Sequence, residues 1–367
     1  MKTLVTIATY KRSRTAYFLK QQLEAENIDC FFVLAGTIDG KMEEVKVQVK
    51  ELDVERAIRV MLHIKDEYGK EIEEIEHTRH IRKIIVPTDF SKGSEDASYY
   101  AVHLAQKLNA EIKLLHVYAN PIEDVNLKSS ASFEHYTFHV LKDEEKRAKS
   151  EMVDFSNKIK EYMDAQKITN VKVHSSIVMG NIIRRMKALC KIYQPDLIVL
   201  GTAGKRDKSQ SVFTGVANEL VMGLGIPVYA IPGARPAYDF EQVNILYATD
   251  FNDKDNTSLN RLLQIMEPFE KQITCVHIDT AHNPAKEDRI DELNDFLRKE
   301  YGQHKIQCRL IEYADVYHGI KDFADSNNMN LLSFTIHKRG IFEKLFMPNL
   351  FKKILQEANL PILIFPS

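Results

Sequence analysis

Short, continuous apolar runs punctuate the chain, among them KIIVP at 83–87, EIKLLHVY at 111–118, DLIVLG at 196–201 and PVYAI at 227–231. Runs of this length, rich in β-branched residues and bounded by polar or glycine positions, read as strands buried on both faces. Between them the apolar period lengthens. Ala97, Ala101, Leu104, Ala105 and Leu108 recur at helical spacing after Ser91, a good N-cap, with Glu95 and Asp96 in the first turn where the helix dipole favours acids. A strand at 171–178, with helices from about 142, 181 and 215, completes the alternation. Strands separated by helices of this length imply right-handed crossovers and a parallel sheet covered on both faces.

The pattern occurs twice. IIVPTDFS at 84–91 returns as ILYATDFN at 245–252, and His116 in LLHV returns as His277 in CVHI at the same offset. Further on, DLIVLG at 196–201 matches NLLSFT at 330–335, and IPVYAIP at 226–232 matches LPILIFP at 360–366. The second pair of matches has a shorter offset, so the first copy is longer, and the polar stretch 119–147 reads as its insertion. Residues 81–233 and 242–367 are therefore expected to be two tandem, doubly wound, five-stranded α/β domains. Residues 1–70 stand outside the repeat. Their order, LVTIAT, a helix near 13–26, IDCFFV, VKVQVK and a helix at 53–68 capped by Asp53, is βαββα and predicts a small α+β domain. A charged connector, 71–80, joins the two parts.

Composition narrows the function classes. A formal net charge of -2 argues against a general nucleic-acid binder. No apolar run is long enough to span a bilayer, and the N-terminus lacks a secretory pattern, so the reading is a cytoplasmic protein without membrane partners. Cys30, Cys190, Cys275 and Cys308 are scattered in apolar segments and read as small buried hydrophobes.

Candidate chemistry lies where ligands bind open parallel sheets, beyond the carboxyl ends of the strands at the switch in strand order. Strand one ends there in Pro87-Thr88-Asp89 and strand four in Leu200-Gly201. The stretch GTAGKRDKSQSVFTG (201–215) follows. Gly201 and Gly204 would admit close approach of backbone N–H groups to an anion, and Gly215 would open a helix whose free N–H groups suit phosphate. Thr214 adds a hydroxyl, and Lys205 and Arg206 add positive charge. A tight turn explains glycine after a strand equally well. The pairs His135/His139 and His77/His80 have metal-like spacing but read as solvated surface histidines, and His116 and His277 as core hydrogen bonders.

Together, VPTDFS, LLHV, GIPVYAIP and Gly201-x-x-Gly204, nine residues, then Thr214-Gly215 resemble the universal stress protein family. The resemblance covers about 81–367 and implies a 3-2-1-4-5 strand order, with ATP between strands one and four and Mg2+ as an optional companion. It places Pro87, Thr88 and Asp89 at the adenosine end and Val117 as a backbone partner of adenine. Leu200, Gly201, Gly204, Lys205, Thr214, Gly215 and Val216 are assigned to the ribose and phosphates. The Thr214-Gly215 pair is reversed relative to the family pattern, which sets a Cβ at the first position and removes the hydroxyl from the second. The second copy departs further, with Thr335, Lys338 and Pro348-Asn349 where the cradle would be, and is read as degenerate and structural. VKVQVKELDVERAIRVML resembles the end of small bacterial ferredoxin-like signal-transducing domains.

The leading expectation is a stress-response or signalling protein that binds an adenine nucleotide, ATP above all, in its first tandem domain. The alternative is a nucleotide-free scaffold working through a protein partner or a homodimer. Slow ATP hydrolysis or self-phosphorylation is a third reading, for which no general base beyond Asp89 is in view.

Overall fold

The computed structural model describes residues 4–10, 13–35, 44–68, 81–118, 131–202, 219–221, 223–232, 242–249, 253–280, 290, 294–295, 297, 305–336, 353–355, 357 and 359–366. The N-terminal part runs β1 (Leu4–Tyr10), α1 (Ser13–Ala25), β2 (Cys30–Ala35), β3 (Glu44–Lys50) and α2 (Val54–Tyr68). Its three strands form an antiparallel sheet in the order β1-β3-β2. The alternation in EVKVQVK turns Val45, Val47 and Val49 onto the covered face, where they pack with Ala16, Leu19 and Leu23 of α1 and Ala57 of α2. Asp53 closes a 3-10 turn directly before α2, and its carboxylate accepts a hydrogen bond from Arg56 Nη1 at 3.1 Å.

The first repeat supplies β4 (Lys83–Pro87), α3 (Lys92–Leu108), β5 (Glu111–Tyr118), α4 (Ala131–Ala165), β6 (Val173–Met179), α5 (Ile182–Tyr193), β7 (Leu197–Thr202) and β8 (Val228–Pro232). The second supplies β9 (Gln242–Ala248), α6 (Asp253–Ile265), β10 (Glu270–Asp279), β11 (Lys305–Glu312), α7 (Val316–Ser326), β12 (Leu331–Ile336) and β13 (Ile362–Pro366). The strands do not form two separate sheets. They make one sheet of 10 strands in the order β11-β10-β9-β12-β13-β8-β7-β4-β5-β6. Each half runs third, second, first, fourth, fifth, with parallel pairing throughout. The two fifth strands meet antiparallel, with Ile362 opposite Ala230, Leu363 opposite Tyr229 and Ile364 opposite Val228. All five residues of β8 are buried and so are the first four of β13, so an open edge here would leave the backbone N–H and C=O groups of apolar strands unpaired. Pairing the halves removes both edges at once.

Helices α3, α4 and α6 cover one face, where Ala101, Ile159 and Leu262 share a core cluster. Helices α5 and α7 cover the other, through Met186, Cys190, Ile320 and Phe323. The four cysteines are buried thiols, as small hydrophobes in an apolar segment should be.

Helix α4 differs from the sequence expectation. It starts at Ala131, so the second half of the polar stretch 119–147 is helical rather than looped. Polarity alone hid it, but the segment is rich in good helix formers and carries the i,i+4 pairs Glu145–Lys149 and Arg147–Glu151.

Where α4 lies on α3, His103 Nε2 meets the Tyr162 hydroxyl at 2.7 Å, and Tyr162 stacks on Tyr99 with centroids 4.0 Å apart. Burial lowers the pKa of His103, because the half-buried ring resists charging. A lowered base binds fewer protons folded than unfolded, so its contribution to stability is lost as pH falls through the unfolded value of about 6.5. The urea midpoint is expected to decline between pH 7 and pH 5, and His103→Gln should flatten part of that decline. An identical pH profile in the variant would contradict this assignment.

Candidate functional site

Strand β4 ends in the ladder at Pro87, opposite Leu115, and the chain then turns sharply into α3. Thr88 holds the turn together. It is 1% exposed, its N–H donates to Leu115 O at 2.8 Å, and its Oγ1 accepts from the Phe90 N–H at 3.0 Å and shares a bond with Ser94 Oγ at 2.9 Å. The Thr88 carbonyl meets His116 Nδ1 at 2.8 Å, which makes that nitrogen the protonated one in the neutral ring. The same bond recurs in the second half between His277 Nδ1 and Thr249 O at 3.0 Å. Asp89 accepts through Oδ1 from the Ser91 N–H at 3.1 Å and the Ser91 hydroxyl at 2.5 Å. Ser91 in turn caps α3, accepting from the Ser94 N–H at 3.2 Å. One oxygen of Asp89 thus builds the turn, and Oδ2 has no partner among the described residues.

Phe90 carries the unusual conformation. Its φ is 61°, in the left-handed region that costs a side-chain-bearing residue of order 1 kcal/mol or more. Its ring rests on His116, centroids 4.2 Å apart, and edge-on against Phe155 of α4 at 5.6 Å. No sequence rule points to phenylalanine at such a position. Neither Phe90, Ser91, Ser94 nor His116 stood among the candidate site residues, yet all four shape the turn. At the rim, the Lys92 ammonium lies 2.9 Å from both Glu95 and Asp96, and the Glu95 hydrogen bond chiefly holds its pKa well above the usual value.

Val117 lies beyond the end of β4. Leu115 O faces β4, since it accepts from Thr88, whereas Tyr118 O faces β6, since it accepts from the Gly180 N–H at 2.9 Å. Alternation along a strand therefore turns the Val117 N–H and C=O towards the β4 side. There β4 has already left the sheet, and no described residue bonds to them. This is a donor and an acceptor side by side on an open strand end, next to the Asp89 turn.

Gly201 has a packing role that its position in the sequence did not suggest. A Cβ there would fall 2.2 Å from the Gly93 carbonyl oxygen, 2.5 Å from its carbon and 3.0 Å from Ser94 N. The glycine lets the first turn of α3 sit against the end of β7. Close approach is real, but among the described residues the group approaching is backbone of this chain. Leu200, also assigned to the ligand, is fully buried among apolar residues of the α5 face. Gly204, Lys205, Thr214, Gly215 and Val216 lie outside the described residues, as do Asp250, Lys338, Pro348 and Asn349 of the second half. The structure therefore brings Pro87, Thr88, Asp89, Val117 and Gly201 to one end of the sheet.

In the second half, Thr335 takes the place of Gly201 and Tyr247 that of Val86. Their hydroxyls share a buried bond at 2.9 Å. The second half thus carries a threonine side chain at the position where the first half has a glycine. Among the described residues no group of three or more His, Cys, Asp or Glu side chains is placed to hold a metal, and no helix is long and apolar enough to cross a membrane.

The model of the universal stress protein family matches residues 80–232, which span β4 to β8. The first half is a universal stress protein domain. Its sequence is 26% identical over 151 residues to Universal stress protein MJ0531 of Methanocaldococcus jannaschii, covering 41% of this chain and 81% of that protein. A universal stress protein of Archaeoglobus fulgidus DSM 4304 has the same fold at 12% identity, with a TM-score of 0.56 over 78% of this chain and 97% of that one. Coverage that wide takes in both halves of the sheet, so the tandem arrangement belongs to the likeness. A universal stress protein solved in complex with cAMP is 19% identical, with a TM-score of 0.29 over 42% of this chain and 99% of that one.

Proposed function

We propose that the universal stress protein domain binds an adenine nucleotide, ATP foremost, at the end of β4 and β5, and that the chain acts in stress response or signalling. The observation that carries this reading is the N–H and C=O of Val117, to which no described residue bonds. Its N–H and C=O match the acceptor and donor along one edge of adenine, and a sheet end is where such ligands bind in doubly wound folds. Asp89 offers its second oxygen to ribose hydroxyls from the adjoining turn. The segment 204–216, with Lys205, Thr214 and Gly215, is assigned to the phosphates on sequence grounds. The second half is assigned no nucleotide on sequence grounds, since Thr335, Lys338 and Pro348-Asn349 stand where the cradle would be.

Asp89→Asn tests the site with little harm to the fold. Asparagine keeps the Oδ1 acceptor that orders Ser91 and loses only the charge. ATP affinity, measured by calorimetry on the full chain, is expected to fall about tenfold, the ~1.4 kcal/mol difference between charged and neutral hydrogen bonds. Equal affinity in variant and wild type would remove Asp89 from the site.

The scaffold reading draws on Gly201. Packing against α3 explains that glycine without any ligand, and only binding measurements on the intact chain separate the two readings.

A further inference from the structure

The two halves carry opposite charge on the same face of the sheet. Helix α5 holds Arg184, Arg185, Lys187 and Lys191, all exposed, and no acidic residue. None of the four makes an ion pair among the described residues, and the one side-chain bond they show is Arg185 Nε donating to Met179 O at 2.7 Å. In their midst Ile192 is 84% exposed, with exposed Ala188 one turn before it on the same stripe. The corresponding helix of the second half, α7, is acidic. Asp315, Asp322 and Asp325 are exposed there; Lys321, the one lysine or arginine within the helix, pairs with Asp322 and Asp325, and His318 bonds Asp315 at 2.6 Å. Beside α7 runs a groove floored by Ile320, Ala324, Ile354 and Leu360 and edged by two carboxylates, Asp325 and Glu357, and one ammonium, Lys321, which pairs with Asp325 at 3.2 Å.

An apolar knob ringed by cations and an apolar groove edged by acids are complementary, and symmetry sets where they meet. Strands β8 and β13 pair antiparallel while α5 and α7 cover the same face, so a pseudo-two-fold axis normal to the sheet relates the two helices. Two copies stacked on this face about a two-fold axis parallel to the strands would each lay α5 on α7 of the other. The contact forms twice and closes. Stacking about an axis across the strands would instead oppose α5 to α5, with like charges facing. We propose that this face joins two copies of the chain, with Ile192 of each seated in the groove beside α7 of the other. Charge selects the orientation and the apolar contact supplies the affinity.

Sedimentation of the full chain across a concentration series tests this. Wild type is expected to dimerise, more weakly at high salt because the charge contacts are screened. Ile192→Asp should weaken the dimer at least tenfold, and so should Lys191→Glu. Adding Asp325→Lys to Lys191→Glu should restore association, which a merely misfolded variant would not do. A chain that stays monomeric at every concentration overturns the proposal. So does a dimer indifferent to Ile192→Asp and Lys191→Glu, since it would use another surface. Failure of the double variant to recover overturns the α5-on-α7 orientation and with it the proposal.

Discussion

Gly201→Ala is expected to cost the protein about 3 kcal/mol of stability or more, at or beyond the upper end for overpacking a well-packed interior. The new methyl would fall 2.2 Å from the Gly93 carbonyl oxygen, far inside any real contact. Both partners are backbone, one in a fully buried strand and the other in the capped first turn of α3, so no flexible side chain can yield. Relief requires α3 to draw back from β7, which would disturb the bonds that Thr88 and Ser91 make to Ser94. A urea titration followed by circular dichroism reads the effect directly, and an unchanged midpoint would show that the helix retreats at no cost. The converse substitution in the second half, Thr335→Gly, removes one buried hydroxyl contact with Tyr247 and should cost only about 1–2 kcal/mol. Loss of nucleotide binding in a Gly201 variant would therefore say little about a ligand.

Val117→Pro separates the ligand from the fold more cleanly. Proline in a strand is tolerated where its missing N–H has no partner, and Val117 has none on the β4 side among the described residues. On its other side β5 keeps its pairing with β6, since that edge bonds through His116 and Tyr118. Structure should survive with a modest loss of stability. The nucleotide would lose the N–H that meets adenine and would face a pyrrolidine ring instead. About 3 kcal/mol, or roughly a hundredfold in affinity for ATP, is the expected loss. Calorimetry beside a denaturation curve distinguishes lost binding from lost folding. Full affinity in a folded variant would exclude the β5 edge as the adenine contact.

Much of this architecture was legible because buried parallel strands announce themselves. KIIVP, LIVLG and PILIF are apolar on both faces, and the repeated TDF and His116/His277 positions mark equivalent strand ends. The histidines were read as core hydrogen bonders and do bind the Thr88 and Thr249 carbonyls. Ser91 was read as the cap of α3 and is. The union of the two sheets was not legible, because β8 and β13 are uniformly apolar and nothing in them sets a register or a partner. Gly201 shows a different limit. Glycine after a strand says that something comes close, and only coordinates say whether that something is a ligand or the chain itself. Phe90 shows another, since its left-handed backbone is imposed by Thr88, His116 and Phe155, residues near it in space and not in sequence.

The central claim is that one half of this tandem sheet carries an adenine nucleotide and the other does not. Calorimetric titration of ATP into the full chain tests it most directly, because stoichiometry and affinity come from one curve. The account predicts one ATP per chain, bound in the first half. No binding at millimolar ATP would contradict the nucleotide reading, and two ATP per chain would contradict the assignment of the second half, with Thr335, Lys338 and Pro348-Asn349 in place of the cradle, as a half without nucleotide.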